Sequence, residues 1–156
     1  MTITSGHKAP AFTLVDQDKN MVSLESFKGK NVLLLFFPAA FTGVCTKEMC
    51  STTDELAFYN KMNAQVLGIS VDLPFSLGKF KELNKIEFPL LSDFNKEAIT
   101  AYGVNEESWI LGLKGVSKRA VFVVDKEGNV AYSEVMASAG EMPDFDKVKE
   151  ALSKLN

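Results

Sequence analysis

Three features of the sequence predict an α/β fold built on a mixed central sheet. Two near-continuous apolar runs, residues 31–37 and 65–71, have the character of central strands covered on both faces. Each is followed by a stretch with apolar residues at helical spacing. Later, residues 119–124 and 130–133 flank a Gly-containing turn of more than two residues, as the arms of a hairpin do. Strand–helix–strand–helix, then a hairpin and a last helix, gives helices packed on a sheet with parallel and antiparallel pairs. A chain of 156 residues suits one domain, residues 1–156, and buries enough apolar surface to fold without disulfide or metal staples.

Each element has its own local reason. Residues 12–15 read as a short strand, with the Asp- and Asn-rich stretch 16–20 as its turn. Residues 22–24 lead into a helical turn over 25–30 that Gly29 stops. Pro38 ends the first central strand, because proline cannot donate to a ladder. One helix is expected from Thr42 or Gly43 to Asn60, with Val44, Met49, Leu56, Phe58, Tyr59 and Met62 as apolar positions of this segment. Residues 74–84 predict an amphipathic helix with Phe75, Leu77, Phe80 and Leu83 as its apolar positions. Residues 88–91 read as a short edge strand, and 97–102 as a short helix ended by Gly103. A closing helix over 144–155 places Phe145, Val148, Leu152 and Leu155 on one face. No internal repeat, low-complexity tract or linker interrupts this order.

Composition narrows the function. The formal net charge is −3, and the Lys residues are interleaved with acids instead of forming a basic stripe, which argues against nucleic-acid binding. The apolar runs are far shorter than a membrane span. The first residues lack a charged-then-apolar signal pattern, so a cytoplasmic location is expected. Two cysteines in such a chain are better suited to redox chemistry, or to none, than to a structural staple. With one histidine besides, they cannot complete a four-ligand zinc site without a distant carboxylate. His7 has no partner motif and reads as a surface residue.

Cys45 carries the strongest chemical signal. It falls just beyond the carboxyl end of a buried strand, where open α/β sheets place their sites, and in the first turn of the following helix. There a thiol faces unpaired backbone N–H groups and the positive end of the helix dipole, which favours thiolate. A free thiol is roughly 3% ionised at pH 7, so full ionisation raises the reactive fraction by at most about thirtyfold. Greater acceleration must come from donors that stabilise charge developing on the substrate, each typically worth about 10²–10³ in rate. Thr42, three residues earlier on the same helical face, and the N–H groups of Val44 and Cys45 are candidates. Pro38 supplies a rigid wall. Arg119, at the start of a strand, offers several N–H donors and a permanent charge.

The pattern Pro38-x-x-x-Thr42-x-x-Cys45 resembles the signature of the peroxiredoxins, and segments 36–38, 66–70, 88–93 and 119–125, followed by Gly128, resemble that family in its own order. The resemblance covers nearly the whole chain, with the alkyl hydroperoxide reductase E type and the bacterioferritin-comigratory Q type as the nearest groups. It implies a thioredoxin-like sandwich and a peroxidase acting on hydrogen peroxide and small organic hydroperoxides, without metal or organic cofactor. Cys45 would be the peroxidatic nucleophile, Thr42 and Arg119 would bind and polarise the peroxide, and Pro38 would shield the site. Glu48 would either orient Arg119 or simply complement the helix N-terminus. Thioredoxin or a related dithiol protein would regenerate the enzyme.

Cys50 leaves alternatives open. The Q type uses a cysteine at this spacing to resolve the sulfenic acid, whereas the E type commonly works with one cysteine. On an intact helix the two Cα atoms lie about 8.6 Å apart, beyond the roughly 7 Å that a disulfide spans, so resolution requires unwinding. Ala39, Ala40 and Phe41 stand where the Q type commonly has polar residues. The apolar stretch 108–113, with Trp109, either packs on the core or forms a dimer contact or, with Phe41, a wall of the peroxide pocket. Two rival classes remain: a thiol–disulfide oxidoreductase, disfavoured because four residues separate the cysteines instead of two, and a non-enzymatic chaperone or binding module.

Overall fold

The computed structural model describes residues 1–156. The chain forms β1 (Thr13–Asp16), β2 (Met21–Ser23), β3 (Asn31–Phe36), α1 (Gly43–Asp54), α2 (Leu56–Lys61), β4 (Ala64–Ser70) and α3 (Pro74–Asn84). There follow β5 (Leu90–Ser92), α4 (Glu97–Ala101), β6 (Asn105–Glu106), β7 (Val116–Ser117), β8 (Ala120–Val124), β9 (Val130–Val135) and α5 (Phe145–Lys154). Seven strands make one mixed sheet in the order β2-β1-β5-β4-β3-β8-β9. β3 pairs in parallel with β4 and antiparallel with β8. No helix is long and apolar enough to cross a membrane.

The two apolar runs form the centre of the sheet because every residue of β3 is buried and alternate side chains feed opposite faces. Leu33 and Leu35 join Met49 of α1, Tyr59 of α2, Leu77 and Phe80 of α3, and Val148 and Leu152 of α5. Val32, Leu34 and Phe36 join Ala98 and Ile99 of α4 with Tyr102 on the other face. There the rings of Phe36, Tyr102 and Phe122 meet at centroid distances of 5.0–5.6 Å. Gly103 ends α4 with φ +70°, and any Cβ there would collide with the backbone of Met1 and Thr2.

Four local expectations change. The helix expected to run to Asn60 breaks at Glu55, giving α1 and α2. Before the break, Ser51 and Thr52 hydroxyls bond back to the Glu48 carbonyl and Thr53 to that of Met49, a competition that bends helices. β5 is not an edge strand. The β1–β2 hairpin adds beyond it, with Val15 opposite Ser92 and Asp16 opposite Leu91. Pro89 lies just outside this strand, so its missing donor does not bar central placement. Of the expected apolar positions of α3, Leu77 and Phe80 are buried, but Phe75 and Leu83 are exposed. Phe75 is two residues from Leu77, roughly 200° around the helix. Lastly, β6 and β7 form a small hairpin inside the expected loop.

Phe36 is fully buried within the aromatic cluster. Replacing it with alanine is expected to cost about 3–5 kcal/mol, seen as a lower midpoint in urea with an unchanged m-value.

Candidate active site

The site assembles where β3 hands over to α1. Phe37 donates the last ladder-like bond, to the Ile69 carbonyl at 3.0 Å. Pro38 follows, buried, and supplies no donor. Within the next turn Phe41 takes a left-handed φ of +66°. Its ring is exposed and sits edge-on to Phe80, 5.2 Å between centroids.

Thr42 occupies the N-cap position of α1 in extended conformation, but its side chain does not cap the helix. The hydroxyl donates instead to the Ala39 carbonyl at 2.7 Å. The first-turn N–H groups, including those of Val44 and Cys45, therefore lack both intrahelical and side-chain partners. The Thr42 oxygen keeps its capacity as an acceptor.

Cys45 is a free thiol in that first turn and only 1% exposed. Its Sγ accepts a hydrogen bond from Nη2 of Arg119 at 3.0 Å. Arg119 is itself buried, immediately before β8. Because Ala120 is in register with Phe36, the guanidinium starts beside the carboxyl end of β3. Its Nη1 donates to Oε1 of Glu48 at 2.7 Å, and Nε and Nη2 donate to the Ala139 carbonyl at 3.0 and 2.9 Å.

Glu48 thus pairs with Arg119, one turn after Cys45 on the same helix face. Burial pushes its carboxyl up to about 7, outweighing the charge and hydrogen bond of Arg119, which pull it down. Oε2 has no hydrogen-bond partner, so no bond offsets the cost of taking that oxygen out of water.

The structure brings Cys45, Glu48 and Arg119 into contact and sets Thr42 and Pro38 in the adjoining turn. Cys50 stands apart. It is partly buried, and its thiol faces the Asn84 carbonyl at the end of α3, 3.9 Å away. α1 is unbroken across both cysteines. His7 is exposed, as expected. No group of three or more His, Cys, Asp or Glu side chains comes together to hold a metal ion.

Two contributors were not foreseen. Ala139 acts through its carbonyl, and a backbone acceptor leaves no signal in residue type. Asp72, two residues beyond β4, accepts the Ala40 N–H at 2.8 Å. Its place after a central strand was the available clue. Stretch 108–113 does not pack on the core: Ile110, Leu111 and Leu113 are exposed.

Comparison with known proteins points to one family. Residues 5–133 match the pattern of the AhpC/TSA family. Alkyl hydroperoxide reductase E of Mycobacterium tuberculosis is 39% identical over 154 residues, covering 96% of each chain. Among solved structures, peroxidoxin BcpB of Mycobacterium tuberculosis superposes with a TM-score of 0.87 at 29% identity, covering 99% of each chain. A peroxiredoxin-like protein of Aquifex aeolicus superposes at 0.90, also at 29% identity, covering all of this chain and 90% of that one.

Glu48 makes stability pH-dependent with a definite sign. Its carboxyl moves from 4.5 unfolded to about 7 folded, so between these values the native state keeps a proton that the unfolded chain has released. Its contribution is fully present below pH 4.5 and is lost as pH rises through about 7. The loss is about 3 kcal/mol. Urea melts across this window should show the decline, and Glu48→Gln should flatten it.

Proposed function

The chain belongs to the AhpC/TSA family of peroxiredoxins, and accordingly we propose that Cys45 is the sulfur through which it reduces peroxides. Members of this family are thiol-dependent peroxidases, and this chain is one of them. Its sheet and helices form the family's thioredoxin-like sandwich. The single observation that carries the assignment of the sulfur is the buried contact between Arg119 Nη2 and Cys45 Sγ.

The guanidinium brings positive charge and a donor to the sulfur, complementary to a thiolate. The thiolate attacks the terminal oxygen of the hydroperoxide. An S–O bond forms as the O–O bond breaks, the leaving oxygen takes a proton to become water or an alcohol, and Cys45 is oxidised to sulfenic acid. Arg119 and the free first-turn N–H groups stabilise charge on the oxygens as it develops. Thr42, whose proton is committed to Ala39, accepts the hydroperoxide O–H and aims it at the sulfur. Pro38 shields the site from the rear. An enclosure this tight favours a reactant as slim as the end of hydrogen peroxide or a small organic hydroperoxide.

Cys50 then attacks the sulfenic sulfur, closing a disulfide with loss of water. Thioredoxin or a similar dithiol protein reduces it and is oxidised in turn. Unwinding the first turns of α1 is part of this step, since the ideal helix holds the cysteines about 8.6 Å apart. The intact helix and the thiol turned toward Asn84 favour, as a second reading, a one-cysteine cycle in which the external thiol attacks Cys45 directly. The exposed apolar side chains of Ile110, Leu111 and Leu113 support pairing with a second copy of the chain. All 156 residues belong to one domain in this reading, working in the cytoplasm.

Intact-mass analysis after one equivalent of hydrogen peroxide tests the cycle. The wild type is expected to lose the mass of two hydrogens, Cys50→Ser to gain one oxygen, and Cys45→Ser to stay unchanged. A gain of oxygen in the wild type, with no disulfide, establishes the one-cysteine cycle. Oxidation of Cys45→Ser to the wild-type extent refutes the assignment of the sulfur. Thr42→Val should slow sulfenic acid formation by roughly 10²–10³ in stopped-flow measurements.

A further inference from the structure

We propose that Asp72 is a positioning residue for the peroxidase reaction, holding the turn that presents Thr42. This rests on the reading of Thr42 as the group that receives the hydroperoxide.

The turn between β3 and α1 buries Pro38 and Ala40 yet carries one strained residue. Phe41 sits at φ +66°, a conformation that costs an L-residue roughly 1–2 kcal/mol. The residue is 56% exposed, and its ring touches the core only edge-on at Phe80, so burial does little to hold it there. Pro38 contributes no donor, and α1 begins only at Gly43. Two hydrogen bonds flank the strained residue. On one side the Ala40 N–H donates to Oδ2 of Asp72 at 2.8 Å. On the other the Thr42 hydroxyl donates to the Ala39 carbonyl at 2.7 Å. The second is internal to the turn and moves with it, whereas the first ties the turn to a different element.

That element is well anchored. Oδ2 of Asp72 also accepts the Ser70 hydroxyl at 2.7 Å, and Ser70 is the buried last residue of β4. The backbone N–H of Asp72 donates to the Ser70 hydroxyl at 3.3 Å. Its carbonyl accepts the hydroxyl of Ser92, at the end of β5, at 2.6 Å. A short hydrogen-bonded chain thus runs from two central strands through Asp72 to Ala40. A carboxylate acceptor makes the final link charge-assisted, roughly twice as strong as a neutral one. Asp72 makes no bond to Cys45, Glu48 or Arg119, so its influence on the chemistry passes through the turn.

The predicted signature is a split between two reactions of one sulfur. Peroxide oxidation needs Thr42 correctly placed, while alkylation by iodoacetamide needs only the sulfur. Asp72→Ala should lower the rate constant for oxidation by hydrogen peroxide by about ten- to a hundredfold without slowing alkylation. Asp72→Asn keeps an amide oxygen for both donors and should recover most of the rate. Ser70→Ala, which frees the carboxylate from β4, should show a smaller loss of the same kind. An unchanged peroxide rate in Asp72→Ala overturns the proposal. So does a parallel fall in both rates, or an Asp72→Asn variant as slow as Asp72→Ala. Should Asp72→Ala fail to fold, Ser70→Ala decides: a peroxide rate unchanged from the wild type overturns the proposal, and a slower one with alkylation unchanged upholds it. Thr42→Val run in parallel separates the two levels. If it is slow while Asp72→Ala is fast, only the role of Asp72 falls; if it is itself fast, the reading of Thr42 falls and takes this one with it.

Discussion

A guanidinium removed from water is the constraint around which the site is built. Arg119 is 2% exposed, and a buried cation is tolerated only when its donors are met. Its three partners come from two places: Cys45 and Glu48 from α1, and the Ala139 carbonyl from beyond β9. Each gains a fixed position from the same charge. The antiparallel pairing of β8 with β3 is what makes this feasible. A parallel strand would bring its amino end to the opposite edge of the sheet. Reversing the direction puts the residue before β8 at the carboxyl end of β3, where the chain turns into α1. Sheet topology and catalytic geometry are here one requirement.

The same cation is shared between two acceptors, and that sharing shapes the electrostatics. Nη1 faces Glu48 and Nη2 faces the sulfur, on one delocalised charge. An ionised Glu48 draws part of the field away from the sulfur, while a protonated one leaves it undivided. Burial, which raises the Glu48 carboxyl to about 7, keeps it between these states near neutrality. Ala139 presents only a carbonyl dipole and steadies the guanidinium without neutralising it. The donors that complete the site carry no formal charge: the first-turn N–H groups of α1 stay free because Thr42 turns its hydroxyl to Ala39 and does not cap the helix.

Much of this was legible in the sequence where one local signal dominated. The runs at 31–37 and 65–71 became β3 and β4 because continuous apolarity has few uses other than a doubly covered strand. Pro74 at the first turn and the end at Asn84 gave α3 its bounds. The position of Thr42 and Cys45 at the turn into α1 was readable from the strand-to-helix junction, and that of Arg119 before β8 from the apolar run that follows it. What escaped depended on partners far along the chain. Residues 88–91 read as an edge strand because nothing in them announces that β1 pairs with β5. The break at Glu55 arises from hydroxyls competing for carbonyls, which apolar periodicity does not register. The strands of the β6–β7 hairpin have two residues each and show no period at all. The acceptor at Ala139 is backbone, and Asp72 matters only through a turn 32 positions earlier.

Helix α1 answers two opposed demands in the proposed cycle. Before oxidation its first turn must be rigid, since the sulfur, the free N–H groups and Glu48 all ride on it. After oxidation the same turn must open far enough for Cys45 and Cys50 to meet. The sequence separates these demands along the helix. The N-terminal half is fixed by contacts made in the reduced state: sulfur and carboxylate to Arg119, and the Thr46 hydroxyl to the Thr42 carbonyl. The first of these runs through the sulfur itself, so converting thiolate to sulfenic acid weakens the charge attraction between it and Arg119. The C-terminal half, with Ser51, Thr52 and Thr53 bonding back to the main chain, has low helix propensity and ends at Glu55. In that cycle oxidation loosens the anchored end of a helix whose other end is already marginal, so that chemistry at the sulfur would trigger the movement that regenerates it.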